Sequence, residues 1–251
     1  MLKKLMAKIG IGSAKIDTVF KTEHFVQGGK AEGHIEVRGG EVEQNISAIT
    51  FQLMTTAKVE REDGEVEINH IIDSYKITDG FVLQPKDERT IPFSFTLNQE
   101  TPITVLNAKN NICKVWLETN MDIDYAIDSK DRDYMQIHPS AIISHFIDAL
   151  SNNGYVMFKA DVEKGYLNAQ DFSSKSGIYQ EIEFKPEGFF GIFKPINEVE
   201  LSFVSGPQQT NVFIELDRVN REDGYLPFTI PNETGYEQVE DILREIKIIK
   251  D

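Results

Sequence analysis

The chain has 251 residues, of which 26 are Lys or Arg and 41 are Asp or Glu, so its formal net charge is -15. Such an acidic balance excludes a nucleic-acid-binding protein of the usual kind, because a phosphate backbone is bound by a basic surface. A single cysteine, Cys113, excludes an internal disulfide and fits a reducing compartment. The length predicts one large domain or two of medium size.

The first ten residues combine Lys3, Lys4 and Lys8 with four apolar side chains. A signal peptide would need an apolar run of ~7–15 residues and a small-residue cleavage site, and this segment has neither. It is interpreted as a short helix or arm packed on the body; a weak membrane-surface anchor is the alternative. We expect no membrane contact, since one apolar turn binds a membrane marginally and no stretch approaches the ~18–20 apolar residues of a spanning helix.

Apolar and polar residues alternate along the first half of the chain, which is typical of strands with one buried face. Glycine, asparagine and aspartate separate these runs, and no helical pattern appears before residue 138. Short strands punctuated in this way predict antiparallel sandwiches and argue against a parallel sheet with crossover helices. The alternating runs include 35–37, 49–53, 66–72, 91–97, 113–117 and 121–127.

A change of pattern near residue 135 predicts a junction between two domains, 1–134 and 135–251. The polar run 128–133 precedes a predicted helix over 139–151, which begins with Pro139 and is followed by Asn153-Gly154. Its apolar face should be buried against one or both sandwiches. That face comprises Ile142, Ile143, Phe146, Ile147 and Leu150.

Strands are expected again after the junction, and a helix is predicted over 234–250. Residues 221–224 repeat the Arg-Glu-Asp-Gly turn of 61–64, which mildly supports two similar sandwiches. Thr234 and Glu237 match a capping box at the start of the last helix. Its stripe needs a partner surface, which could be the chain's own second sandwich or the same helix of a second copy in a homodimer. The stripe comprises Val239, Ile242, Leu243, Ile246 and Ile249, of which Ile242, Leu243 and Ile246 are the candidate assembly residues.

Several segments resemble the bacterial sporulation-control family known as sporulation stage-zero protein M. They are KIGIGSAKIDT (8–18), GGEVEQNISAITFQLMTT (39–56), IPFSFTLNQETPITV (91–105) and VWLETNMDIDYAIDSKDRDY (115–134). The resemblance implies an all-β protein of two tandem arrestin-like, immunoglobulin-like β-sandwiches. It also implies a cytoplasmic, non-enzymatic regulator of entry into sporulation, with no catalytic site to carry over. The phosphate-sensing switch of arrestins does not map onto this chain, and Asp131-Arg132-Asp133 is not identified as one.

The sequence predicts no catalytic site, no metal site and no cofactor. Ser144 and His145 would point about 100° apart on one helix, so they do not form a triad with Asp148. Cys113 is expected in the core, and the five histidines lack the spacing of a zinc site. The acidic residues between Glu118 and Asp133 lack a calcium-loop pattern and are interpreted as a solvated face.

One aromatic cluster is a candidate binding surface. Phe189, Phe190 and Phe193 lie among glycines and prolines, as at a loop tip, although the favoured interpretation is that they cap the second sandwich from outside. What the resemblance implies is an arrestin-like scaffold for an unidentified protein partner. The alternative is a sandwich-type module that binds a carbohydrate or another small ligand, for which exposed aromatics over a cleft would be expected.

Overall fold

A computed structural model describes residues 12–62, 64–169, 171–187, 196–218 and 224–250. The basic start of the chain lies outside the described residues, and so do Phe189, Phe190 and Phe193. The expectations for a packed or membrane-bound start and for an aromatic binding tip therefore stay predictions.

The described residues form eighteen strands and two helices, so the predicted all-β class is confirmed. Neither helix is long and apolar enough to cross a membrane, within the residues that are described. The first half contains β1 (Lys15–Phe20), β2 (His24–Val26), β3 (Lys30–Arg38), β4 (Gln44–Arg61), β5 (Gly64–Thr78), β6 (Phe81–Leu83), β7 (Glu88–Thr96), β8 (Asn110–Asn111), β9 (Val115–Ile123), β10 (Ser129–Tyr134) and β11 (Gln136–His138). The second half contains α1 (Ala141–Asn152), β12 (Tyr155–Lys164), β13 (Asn168–Ala169), β14 (Phe172–Ser173), β15 (Ile178–Pro186), β16 (Ile196–Ser205), β17 (Gln209–Arg218), β18 (Gly224–Pro231) and α2 (Tyr236–Glu245).

A single hydrogen-bonded path of strands runs through both halves, in the order β10-β9-β4-β12-β15-β16-β17-β18. The long strand β4 is antiparallel to β5, β6 and β9 and parallel to β12, which it meets at the register pair Lys58 and Glu163. A separate three-stranded sheet, β1-β3-β7, lies over the first half. Phe51 of β4 packs edge-on against Phe93 of β7, with 4.9 Å between ring centroids, so the two sheets face each other there.

The buried apolar side chains form two main cores. The first contains Ile35, Phe51 and Leu117, and the second contains the inner faces of α1 and α2. Each core also takes residues from the other side of position 134, since Val162 packs in the first core and Ile103 in the second. The division into domains 1–134 and 135–251 therefore stays a prediction.

The polar run at 128–133 is a strand for most of its length and not a linker. Glu118 of β9 lies across from Arg132 and forms ion pairs with it at 2.9 Å and with Lys130 at 3.3 Å. Asp131 accepts the Thr18 backbone N–H at 2.7 Å, which connects β10 to β1. Opposite charges across neighbouring strands stabilise β10, although its polar composition is more typical of a loop.

The junction helix occupies 141–152, two residues later at its start and one residue later at its end than the predicted 139–151. Residues 136–138 pair with β2, and Ser140 is extended at the N-cap, so Pro139 precedes the helix. Gly154 follows with φ of 77°, the left-handed conformation expected of the stop signal. The predicted burial is confirmed, since Ile142, Ile143 and Phe146 are enclosed in the second core.

The terminal helix occupies 236–245, which corrects the predicted 234–250. Gly235 is the N-cap, and its N–H donates a hydrogen bond to the Gln238 side chain. The predicted capping box of Thr234 and Glu237 is therefore wrong. Lys247 has φ of 64°, and its N–H bonds the Arg244 carbonyl while that of Ile248 bonds the Leu243 carbonyl. These two bonds form a Schellman motif, which ends the helix.

The apolar stripe of α2 packs on its own chain. Val239 and Leu243 are fully buried, and the reversal after Ile246 brings Ile248 and Ile249 into the same core. Ile242 and Ile246 are half-buried against that core. Pairing of this stripe with a second copy would require the helix to leave its own core.

Replacing Leu243 with alanine should lower the free energy of unfolding by about 2–5 kcal/mol, because it opens a cavity in the second core. Chemical denaturation of the two proteins measures the difference. Glu245→Ala, at an exposed position of the same helix, should change the stability by less than about 0.5 kcal/mol. The molecular mass in solution should be the same for both variants; a loss of dimer in Leu243→Ala would instead show that the stripe joins two copies.

Candidate functional site

Carboxylates occupy one face of the sheet in the second half. In β15, Ile182 and Phe184 point into the second core, so Glu181 and Glu183 lie on the opposite face. The same alternation holds for the neighbouring strands. We call this surface the acidic face; its members are Asp161 and Glu163 of β12, Glu181 and Glu183 of β15, Glu198 and Glu200 of β16, and Glu215 and Asp217 of β17.

The strand register places like charges directly opposite one another. Glu200 faces Glu183 on one neighbouring strand and Glu215 on the other. Glu181 faces Asp161 in the same way. Like charges in directly opposed positions destabilise a sheet, so this face needs positive charge from elsewhere.

Three lysines supply part of that charge. Asp161 is completely buried and forms ion pairs with Lys58 at 2.6 Å and Lys159 at 2.8 Å. Lys159 also pairs with Glu183, and Lys185 pairs with Glu198 at 3.1 Å. Burial opposes the charged form of Lys159, but its hydrogen bonds to the two carboxylates hold its pKa above the usual value. Since Lys58 belongs to β4, this buried cluster also joins the first half to the second.

Three carboxylates of the acidic face, those of Glu181, Glu200 and Glu215, form no ion pair with any lysine or arginine that the structure describes. Asp217 has no such ion pair either, but the Asn197 amide donates a hydrogen bond to it at 3.2 Å. Burial, with the charges of Glu181 and Glu215 next to it, raises the pKa of Glu200 to about 8. Burial and the charges of Asp161 and Glu163 raise the pKa of Glu181 to about 7. The excess negative charge is therefore concentrated at these three positions.

The three unpaired carboxylates line a cleft of about 310 Å³ whose walls are aromatic. Tyr166, Tyr179 and Tyr225 provide the walls with Phe213, and we call this site the tyrosine cleft. Leu167, at its rim, packs on Phe213 in a small apolar cluster that includes residues of the β13–β14 hairpin. Ser202 is 6% exposed and lies in the same row of the sheet as Phe213.

Oxygen ligands for a metal ion are also available on the acidic face. Asp161, Glu163 and Glu181 form one group whose carboxylate oxygens lie within 4.8 Å of one another, and Glu183, Glu198 and Glu200 form a second. Lys159 already binds a member of each group, which reduces the charge left for a cation. Calcium takes six to eight oxygen ligands, more than either group offers alone.

The candidate assembly residues chosen from the sequence lie elsewhere, and the candidates Phe189, Phe190 and Phe193 lie outside the described residues. Ile242, Leu243 and Ile246 pack on the second core. Among the acids at 118–133, Glu118 pairs with Arg132 and Asp131 accepts a backbone N–H. Cys113 is buried as predicted, and burial raises the pKa of its thiol to about 12. His145 bonds the Thr234 carbonyl at 3.1 Å and thereby connects α1 to the segment before α2.

Sequence reasoning missed the acidic face and the tyrosine cleft. Glutamates recur at every second position in 181–183 and 198–200, which is the signal that could have located the face. The cross-strand register that gathers them could not be obtained from the spacing alone.

Comparison with known proteins assigns the chain to a group of bacterial regulators. A family model described as SpoOM protein matches residues 2–220. The sporulation-control protein Spo0M of Bacillus subtilis (strain 168) is 33% identical over 217 residues, which are 86% of this chain and 80% of that protein. The crystal structure of Spo0M from Bacillus subtilis is similar with a TM-score of 0.79 at 28% identity, and the match covers 94% of this chain and 98% of that one. The resemblance found in the sequence is confirmed.

Replacing both Lys58 and Lys159 with methionine should lower the free energy of unfolding by about 3–5 kcal/mol, because Asp161 would stay buried without a counter-charge. Denaturant titration measures this loss. Lys21→Met removes an exposed pair with Glu32 and should cost about 0–1 kcal/mol. A loss in the double variant no larger than in this control would contradict the role of the cluster.

The melting temperature should fall as the pH rises from 5 to 8.5. The pKa of Glu200 is raised to about 8 from its usual value near 4.5, so the folded chain holds this proton more tightly than the unfolded chain. The stabilisation is complete below the unfolded pKa and is lost as the pH rises through the folded one. Glu200→Gln should show a shallower fall, whereas Glu233→Gln, at an exposed position, should keep the original slope. Equal slopes in all three proteins would refute this assignment.

Proposed function

The chain belongs to the SpoOM protein family, and from this we propose that it is a cytoplasmic, non-enzymatic regulator of entry into sporulation that acts as an arrestin-like protein-binding scaffold. Its relative is named a sporulation-control protein, and a regulator of that kind acts through what it binds. Two tandem sandwiches would present long strand edges and faces to such partners.

The observation that carries the proposal is the outer edge of β5. This fifteen-residue strand pairs with β4 along one side, and no strand among the described residues pairs with its other side. Ile71, near its middle, is 45% exposed. An open strand edge can hydrogen-bond an extended segment of another protein, which is a common mode of peptide recognition.

Affinity capture from the source cells, with the intact chain as bait, tests the proposal. A lysine on an edge strand discourages pairing, so Ile71→Lys should lose the captured partner. Val105→Lys makes the same change at an exposed position next to β11 and should retain it. Capture of the same proteins by all three baits, or turnover of a substrate by the purified chain, would overturn the proposal.

The tyrosine cleft favours a second candidate function, a sandwich-type module for a small ligand. Tyrosines over a cleft are the feature expected of such a module, and the cleft lies on the second half while β5 belongs to the first. The two functions could therefore be carried by separate surfaces.

A further inference from the structure

The tyrosine cleft has negative charge that the described part of the protein does not balance. Glu200 and Glu215 are directly opposed in the register, and Glu181 lies one row away across from Ser202. Lys159 and Lys185 hold Glu183 and Glu198, which leaves the three cleft carboxylates without a cation. A positively charged ligand would turn an unfavourable arrangement into a favourable one.

The aromatic walls indicate an organic cation. An ammonium group over the face of a tyrosine or phenylalanine is attracted by the ring, and aromatic cages recognise alkylated ammonium ligands in this way. Tyr225 stands opposite Glu215 in the register, and Tyr179 and Glu181 lie two positions apart on the same face of β15, so rings and carboxylates adjoin one another around the cleft. A hard metal ion would gain nothing from the rings, since it takes oxygen ligands.

The hydroxyl of Ser202 gives an independent indication of a ligand. Ser202 is 6% exposed and lines the cleft, and no hydrogen bond between described residues uses its side chain. Its oxygen is therefore left for water or a ligand in the cleft, since polar groups of buried residues are nearly always satisfied by protein, water or ligand. The Ser202 oxygen can accept a bond from an ammonium N–H, whereas the carboxylates beside it are acceptors that cannot supply one when they are ionised.

We propose that the tyrosine cleft binds a linear aliphatic polyamine. Three carboxylates fit a ligand with more than one ammonium group, and methylene chains fit between the aromatic walls. A volume of about 310 Å³ suits a small molecule better than a folded partner. A neutral carbohydrate would stack on the rings but leave the three charges unbalanced. The inference specifies the ligand of the small-molecule function and does not depend on the scaffold role of β5.

Isothermal titration of the intact chain with spermidine at pH 8.5 and low salt tests the proposal. Saturable binding with one ligand per chain is expected. The double variant Glu200→Gln, Glu215→Gln should bind about tenfold more weakly or worse, because charge-assisted contacts are lost. The matched double variant Glu88→Gln, Glu233→Gln removes the same charge at exposed positions and should keep the affinity of the original chain.

Two further measurements separate an amine site from a general attraction of cations. Tyr225→Leu should weaken spermidine binding severalfold without changing the charge. Magnesium chloride should show no saturable binding at the concentration at which spermidine saturates. Melting curves verify that each variant folds, and the glutamine variants should be no less stable than the original chain, since they remove repulsion.

The proposal is overturned if spermidine binding is not saturable, or if both double variants lose it equally. Magnesium binding that is equally tight and equally lost in Glu200→Gln, Glu215→Gln would assign the cleft to a metal. Binding of an oligolysine peptide without binding of spermidine would assign it to a basic segment of a partner. The scaffold proposal is tested at β5 by protein capture, so each can fail while the other holds.

Discussion

The carboxylate of Asp161, buried between two ammonium groups, is the contact on which the arrangement of the two halves depends. Lys58 reaches it from β4 and Lys159 from its own strand, β12. A buried charge is tolerated when it is paired, so neither strand can shift without exposing an uncompensated ion. The apolar cores combine residues of both halves, whereas this polar cluster determines how β4 and β12 align. It also fixes the strands beyond β12, and with them the position of the acidic face.

On the acidic face, the sequence places like charges opposite one another at a cost in stability. Apolar side chains, or side chains of opposite charge, at positions 200 and 215 would stabilise this strand pair better than Glu200 and Glu215 do. The raised pKa of Glu200 reflects the cost of holding two like charges opposite each other in a partly buried place. Departures of this kind from local consistency tend to occur at functional sites. The open edge of β5 is a second departure, because native sheets usually protect long edges. The two features lie on different halves, which would let the chain hold a protein and a small cation at once.

Local patterns predicted most of the strands, since alternation such as that of Ile49, Phe51 and Leu53 follows directly from one buried face. Contacts between segments that are distant along the chain could not be predicted from such local patterns. The polar strand β10 depends on Glu118 for its stability, and the end of α2 depends on Lys247 adopting a conformation that usually calls for glycine. The tyrosine cleft was missed for the same reason: Tyr166, Glu200 and Tyr225 become neighbours through register and hairpin placement.

The separation of Lys58 from its buried partner along the chain has a consequence for biosynthesis. The partner carboxylate is translated about a hundred residues later, and at about 5–20 residues per second the lysine waits roughly 5–20 s for it. During that interval β4 can pair with β5 and then with β9, but the ammonium group near its far end has only the half-exposed Glu65 of β5 as a partner and lacks its buried one. The charge keeps that end of the strand hydrated and discourages pairing with other nascent chains, as lysines on strand edges do. The residue that later fixes the two halves thus also protects the growing polypeptide from premature association.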